Sequence, residues 1–153
     1  MYFVRVSMSQ ETKELEVLKA IVKQKGLKYT KQREIIYQSI LDSDEHLNAD
    51  ELYSLITIKY PDEKIGIATV YRALSFLEEV DLISSIDISS NEGKKFESNI
   101  KEHHDHLICV KCGKIVEFVN DKIEQEQEKV AQKNGFKLLR HSMYLYGICP
   151  DCE

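Results

Sequence analysis

Two prolines and six glycines in 153 residues leave little room for a disordered tract. No apolar run approaches the ~20 residues a helix needs to cross a bilayer, so no membrane span is expected. The opening Met1-Tyr2-Phe3-Val4-Arg5-Val6 is too short and too interrupted for the apolar region of an export signal. Basic residues are the minority. The 21 Lys and Arg against 26 Asp and Glu give a net charge of −5, which argues against indiscriminate coating of nucleic acid. What is present, a 42% hydrophobic content, suffices for one ordinary domain or two small ones.

The distribution of charge says more than its sum. Residues 17–33 carry Lys19, Lys23, Lys25, Lys28, Lys31 and Arg33 with no acid among them. An acidic chain with one basic stripe can hold a phosphate backbone along it, although a solvated helix face has the same composition.

All four cysteines fall in two Cys-x-x-Cys pairs, Cys109/Cys112 and Cys149/Cys152. Without an export signal the chain is expected in a reducing cytoplasm, where such pairs read as metal ligands rather than disulfides. Four thiolates close a tetrahedron around a structural zinc ion. Gly113 directly after Cys112 suits a knuckle whose amides turn toward the sulfurs. A dithiol redox pair is the weaker reading, because neither pair opens a helix in a βαβ unit.

The chain divides into two halves. Helical spacing predicts a helix over 11–25, stopped by Gly26, and a second capped by Thr30 with Ile35, Ile36, Ile40 and Leu41 apolar. Asn48 and Glu51 form a capping-box start for a third, closed by Pro61. A fourth, over 67–80, turns Val70, Leu74 and Leu77 inward and Thr69, Tyr71, Arg72 and Ser75 outward. Strands over 82–88 and 94–97 flank the turn Ser89-Ser90-Asn91-Glu92-Gly93. That order is a winged helix-turn-helix, with the fourth helix in the recognition position. Strands near 107–110 and 115–119, a polar helix over 121–133 and a long strand over 136–148 follow. The expected class is α+β: an N-terminal winged-helix DNA-binding domain over 1–97 with its wing at about 82–97, a hinge over 98–103, and a small α/β dimerisation and metal-binding domain with the four-cysteine zinc site over 104–153.

In an extended run alternate side chains face opposite ways. His104 and His106 therefore share one side, and His103 and Asp105 the other, so the run can serve two metal sites. Glu97, Glu117, Glu124 and His141 are candidate partners, while a buried core histidine is the alternative for His141. His46, alone in the loop before the third helix, reads by default as a solvent-exposed residue. His103, Asp105 and His141 also fit the His-x-Asp…His triad of non-heme iron oxygenases. The helical first half speaks against the double-sheet barrel such enzymes use. On the fourth helix, Tyr71 offers an apolar contact for a thymine methyl and Arg72 a bidentate donor for guanine or phosphate.

The motifs Gly26-Leu27-Lys28-Tyr29-Thr30-Lys31-Gln32-Arg33, Ala68-Thr69-Val70-Tyr71-Arg72-Ala73-Leu74, His103-His104-Asp105-His106-Leu107-Ile108-Cys109-Val110-Lys111-Cys112-Gly113-Lys114 and Cys149-Pro150-Asp151-Cys152 together resemble the ferric uptake regulator family. They span nearly the whole chain. The resemblance implies a homodimeric bacterial regulator, with a tetramer as a further assembly, that binds AT-rich palindromic double-stranded DNA when charged with metal. It implies no membrane partner and no small-molecule substrate. By matching position, Cys109, Cys112, Cys149 and Cys152 resemble the structural zinc site. His46, Glu97, His104, His106 and Glu117 resemble the regulatory site, and His103, Asp105, Glu124 and His141 an additional one. Thr69, Tyr71 and Arg72 lie on the reading helix, and Lys28 resembles a lysine that enters the minor groove. Peroxide sensors of the family carry aspartates where Glu97 and Glu117 stand, so metal sensing is expected. A donor set of nitrogen and oxygen suits Fe2+ or Mn2+, with Zn2+ able to substitute.

Overall fold

The structure, a computed structural model, describes residues 8–88 and 93–153, with side chains from residue 13 onward in the first stretch. The opening Met1 to Val6 and the predicted turn residues Ser89 to Glu92 lie outside the described residues.

Helix α1 (Met8–Gln24) buries Leu18 and Val22 and ends where Gly26 turns left-handed at φ 67°. Gly26 N–H then donates to Lys23 O and Leu27 N–H to Val22 O, both at 3.0 Å, the two bonds of a Schellman closure. A Cβ at Gly26 would meet nothing within 4 Å, so the glycine answers to backbone angle and not to crowding. Helix α2 (Lys31–Leu41) starts at Thr30, whose hydroxyl accepts from Arg33 N–H. Helix α3 (Ala49–Lys59) has a full capping box: Asn48 Oδ1 accepts from Glu51 N–H and Glu51 Oε2 from Asn48 N–H, each at 2.8 Å. Helix α4 (Ile67–Glu79) begins at Gly66 without a side-chain cap, and its inner face of Val70, Ala73, Leu74 and Leu77 is buried.

These helices share one core, in which Leu18, Ile36, Tyr37, Leu52, Ile56, Leu74 and Leu77 are almost wholly enclosed. Each large aliphatic side chain so buried contributes ~1.5–3 kcal/mol against entropy losses of similar total size. After α4, strands β1 (Ile83–Asp87) and β2 (Lys94–Ser98) pair antiparallel as a hairpin, Ile83 opposite Ser98 and Asp87 opposite Lys94. Four helices and a hairpin, over residues 8–87 and 93–101, form the first of two compact units.

The second unit takes residues 102–153 together with Ile88. Its central strand β3 (Asp105–Cys109) is flanked by β4 (Ile115–Phe118), antiparallel, and β5 (Tyr144–Gly147), parallel. A parallel neighbour needs a long crossover, which β4 and helix α5 (Asp121–Lys133) provide. Asn120 caps α5 by accepting from Lys122 and Ile123 N–H. No residue of α5 is fully buried. A 3₁₀ turn, Pro150–Cys152, ends the fold.

The long strand expected over 136–148 is corrected to β5 alone. Its partner β3 begins only at Asp105, so pairing runs from His106 opposite Tyr144 to Cys109 opposite Gly147 and finds no ladder before that. Residues 136–143 instead leave α5 through a second Schellman closure at Gly135 and pass beneath the helix without regular structure.

Candidate metal centres and nucleic-acid face

Cys109 ends β3 and Cys112 follows one tight turn later, where Gly113 at φ 73° lets its N–H donate back to Cys109 O at 2.9 Å. The parallel strand β5 delivers Cys149 two residues beyond its own end, and the 3₁₀ turn carries Cys152. The sequence gap between the pairs is thus closed by strand pairing. One sulfur from each of the four lies within 4.8 Å of the others, and Cys112 Sγ stands 3.7 Å from Cys149 Sγ. Sulfurs at ~2.3 Å from a tetrahedral zinc lie about 3.8 Å apart, whereas a disulfide needs ~2.05 Å. The spacing fits a metal and not a bridge.

Backbone N–H groups of Cys112 and Cys149 point at Cys109, the latter at 3.3 Å from Sγ, and hold its thiol down to about 6. Cys152 is pushed up to about 12, chiefly by sharing a proton with Cys149 and Cys112, since neighbouring sulfurs resist ionising together. A metal must displace the Cys152 proton at any ordinary pH, but meets a Cys109 proton only below about pH 6. Protons released per zinc should therefore rise as pH falls through 6. Calorimetry in buffers of differing ionisation enthalpy reads this number, and a flat count across pH 6 would remove Cys109 as the first thiol to ionise.

The second centre lies at the start of β3. Asp105 is 0% exposed, and neither of its carboxylate oxygens has a hydrogen-bond partner. Around it, His103 Nε2 is 3.7 Å and His141 Nε2 3.6 Å from Oδ1, and both imidazoles stand 3.3 Å from Glu124 Oε1. Those separations lie at or beyond the long end of hydrogen bonds, and donors ~2.1 Å from a common ion sit about 3 to 3.5 Å apart. A buried carboxylate left unpaired in this way is costly, and a divalent cation is the partner that two histidines and two acids suit. Helix α5 aims Glu124 inward from its first turn, and His141 comes from the irregular 136–143 segment and not from a strand. Because Glu124 joins His103, Asp105 and His141 as a fourth donor, the set is fuller than a three-ligand oxygenase triad.

The remaining candidate donors form two groups, each within its own unit. In the first unit, Leu47 and Phe96 exchange backbone hydrogen bonds of 2.8 and 3.3 Å, an isolated bridge that pins the loop before α3 to the hairpin. The neighbouring residues are His46 and Glu97, and His46 Nε2 lies 2.8 Å from Glu97 Oε2. The expected solvent-exposed loop histidine is therefore a paired one. In the second unit, β3 places His104 and His106 on one side with ring centroids 4.7 Å apart, and β4 sets Glu117 opposite His106. His104 Nε2 reaches 3.4 Å from Glu117 Oε1, and His104 Nδ1 lies 2.8 Å from Glu102 O, which fixes the ring. Tyr144 of β5 stacks on His106, centroids 5.4 Å apart; nothing in the sequence pattern marks this neighbour, because only strand order creates it.

On α4, Tyr71 is 53% exposed, Arg72 and Ser75 are exposed, and half-buried Thr69 accepts from Arg72 Nη2 at 3.3 Å. Lys28 is exposed in the loop before α2. Sequence reasoning missed what steadies that loop. Arg33 Nη1 donates to Lys28 O at 3.2 Å, and its guanidinium lies 4.4 Å from the Phe76 ring of α4, tying the loop to the helix. Besides Arg33, three lysines of the basic stripe are engaged internally: Lys19 with Glu16, Lys25 with Glu79, Lys31 with Glu63.

A sequence profile described as "Ferric uptake regulator family" matches residues 24–146. The chain is similar to the ferric uptake regulation protein of Campylobacter jejuni subsp. jejuni, 51% identical over 139 residues, 91% of this chain and 88% of that protein. It is also similar in structure to the Helicobacter pylori ferric uptake regulator, described as having three functional metal binding sites: TM-score 0.82, 39% identity, 93% of each chain covered. A third likeness is to the ferric uptake regulator from Pseudomonas aeruginosa with manganese, TM-score 0.73 at 28% identity, covering 86% of this chain and 97% of that one.

Proposed function

Because the chain belongs to the ferric uptake regulator family and is a metal-dependent transcriptional regulator, we propose that it is an Fe(II)-responsive repressor of metal-uptake genes acting on AT-rich palindromic DNA. Its relatives are named as regulators, and it is not an enzyme. Among the described residues no helix is long and apolar enough to cross a membrane, in keeping with work at DNA in the cytoplasm.

The carrying observation is the division of nitrogen and oxygen donors into two incomplete sets: His46 with Glu97 on the winged-helix unit, and His104, His106 and Glu117 on the other. Neither set fills a coordination shell alone. In the proposed mechanism one regulatory ion takes donors from both, with residues 98–103 as the hinge between a DNA-binding part (1–97) and a dimerisation part (104–153). The ion then stabilises the arrangement in which two reading helices meet successive major grooves ~34 Å apart. Coupling of this kind is worth ~1–3 kcal/mol, and DNA must tighten metal binding by the same factor. Imidazole and carboxylate donors without thiolate favour Fe2+ or Mn2+, although Zn2+ competes for most such sites. A manganese, zinc or peroxide sensor is the alternative reading on the same scaffold.

Cys109, Cys112, Cys149 and Cys152 would hold the structural zinc, and His103, Asp105, Glu124 and His141 a further ion. Thr69, Tyr71 and Arg72 would read bases and Lys28 the minor groove. Homodimerisation has its support in exposed apolar residues on the second unit: Val130 is 62%, Phe136 73% and Leu139 85% exposed.

The test is DNA binding by fluorescence anisotropy on an AT-rich palindrome, without oxygen, with Fe2+, Mn2+, Zn2+ or no metal. Fe2+ should strengthen binding about 5- to 150-fold, the span of such couplings. His104→Ala should leave a folded protein that gains nothing on adding metal. Equal affinity with and without Fe2+ would remove the iron reading, and a gain with Mn2+ or Zn2+ alone would select the alternative.

A further inference from the structure

We propose that Gln127 is a fifth ligand of the centre built by His103, Asp105, Glu124 and His141, its side-chain carbonyl oxygen biasing that centre toward Mn2+ and Fe2+ over Zn2+. This rests on the reading of those four residues as a metal centre.

Gln127 lies one turn beyond Glu124 on α5, and residues three apart share a helix face. Its amide NH2 donates toward Met143 Sδ at 4.0 Å, and Met143 is two residues past His141. Gln127, His141 and Met143 line one open groove of about 680 Å3 beside α5, together with Val130, Phe136 and Leu138. The opposite end of the amide, Oε1, is buried and accepts no hydrogen bond.

That last property singles it out. Among the described residues, and apart from the His104/His106 side of the strand, the buried side-chain oxygens and nitrogens without a hydrogen-bond partner are both Asp105 oxygens, Glu124 Oε1, His141 Nε2 and Gln127 Oε1. All but Gln127 are ligand atoms of the centre already described. Buried carbonyl oxygens are ordinarily paired, and an unpaired one calls for an explanation. A glutamine that merely filled space could rotate its carbonyl toward solvent or a backbone N–H. In this one the NH2 end faces Met143 and the carbonyl end is buried without a partner, on a residue that shares its helix face with Glu124.

The chemistry follows from counting donors. Four ligands, two of them imidazole, satisfy tetrahedral zinc. An added neutral oxygen makes two nitrogens and three oxygens, a set for ions that accept five or six harder donors.

The experiment uses the full chain with zinc in its cysteine site and His104→Ala as background, so that the proposed sensor set does not compete. Mn2+ binding is read from the electron paramagnetic resonance of the free ion, and coordination number from the ligand-field absorption of Co2+. Gln127→Met should weaken Mn2+ on the order of tenfold while leaving Zn2+ affinity unchanged, and should intensify the Co2+ bands as the site becomes four-coordinate. Gln127→Glu, which restores an oxygen, should recover Mn2+ binding. Parental Mn2+ affinity and Co2+ spectrum in Gln127→Met overturn the proposal, as does an equal loss of Mn2+ and Zn2+. Asp105→Asn is measured in parallel and should abolish Mn2+ binding. If it does not, the four-residue centre is itself misread and the inference falls with it, a result distinct from failure at Gln127 alone.

Discussion

Cys109→Ser should release the zinc ion and unfold the second unit. Cys109 is buried at the end of β3, where its sulfur accepts from Cys149 N–H, so one residue joins the strand, the first knuckle and the returning chain. Serine offers a harder, poorly ionising oxygen on a shorter bond, and three thiolates cannot close the tetrahedron. The unit has little to fall back on. Its strands are four or five residues long, α5 buries nothing completely, and among its described residues the buried apolar ones are Ile88, Ile108 and Cys109. Structural zinc contributes ~10–16 kcal/mol in small metal-dependent folds, against a net domain stability of ~5–15 kcal/mol. Elemental analysis and a circular-dichroism melt measure both effects. Undiminished zinc content and an unchanged melt in the variant would sink the assignment.

Two residues on one helix should fail in opposite ways. Leu74→Ala should destabilise the first unit by ~2–5 kcal/mol, because Leu74 is 1% exposed in the shared core and the vacated volume cannot collapse fully. Its DNA binding should fall only as far as the protein unfolds. Arg72→Ala, two positions away on the exposed face, should change stability by less than ~0.5 kcal/mol yet lose ~1–3 kcal/mol of operator affinity. Urea denaturation and anisotropy on the same samples separate the two. A destabilised Arg72→Ala, or a stable Leu74→Ala, would mean the helix is rotated from the orientation described.

Four of the helices carry their own punctuation, Thr30, Asn48 and Asn120 accepting from first-turn amides and Gly26 closing α1, while α4 was legible from its apolar spacing alone. Parity along 103–106 likewise separated His104 and His106 from His103 and Asp105, since alternation is a local property of extended chain. What failed was non-local. The length of β5 depends on where β3 begins, 39 residues earlier by position (144 against 105), and no pattern within 136–148 records that. Pattern alone left His46 solitary, and only the family resemblance set it with Glu97, because that partner lies 51 residues away, brought over by a two-bond bridge with no sequence signature. Gln127 escaped notice for another reason: glutamine is an ordinary helix-surface residue, and only an orphaned oxygen distinguishes it.

The Leu47–Phe96 bridge gives the wing a mechanical character of its own. A hairpin joined only at its base could swing as a flexible arm, but this one is riveted to the segment entering α3 one residue from each member of the His46–Glu97 pair. Bending the arm would have to break two backbone hydrogen bonds before it could alter the gap between those side chains, so the bridge holds the pair at its distance.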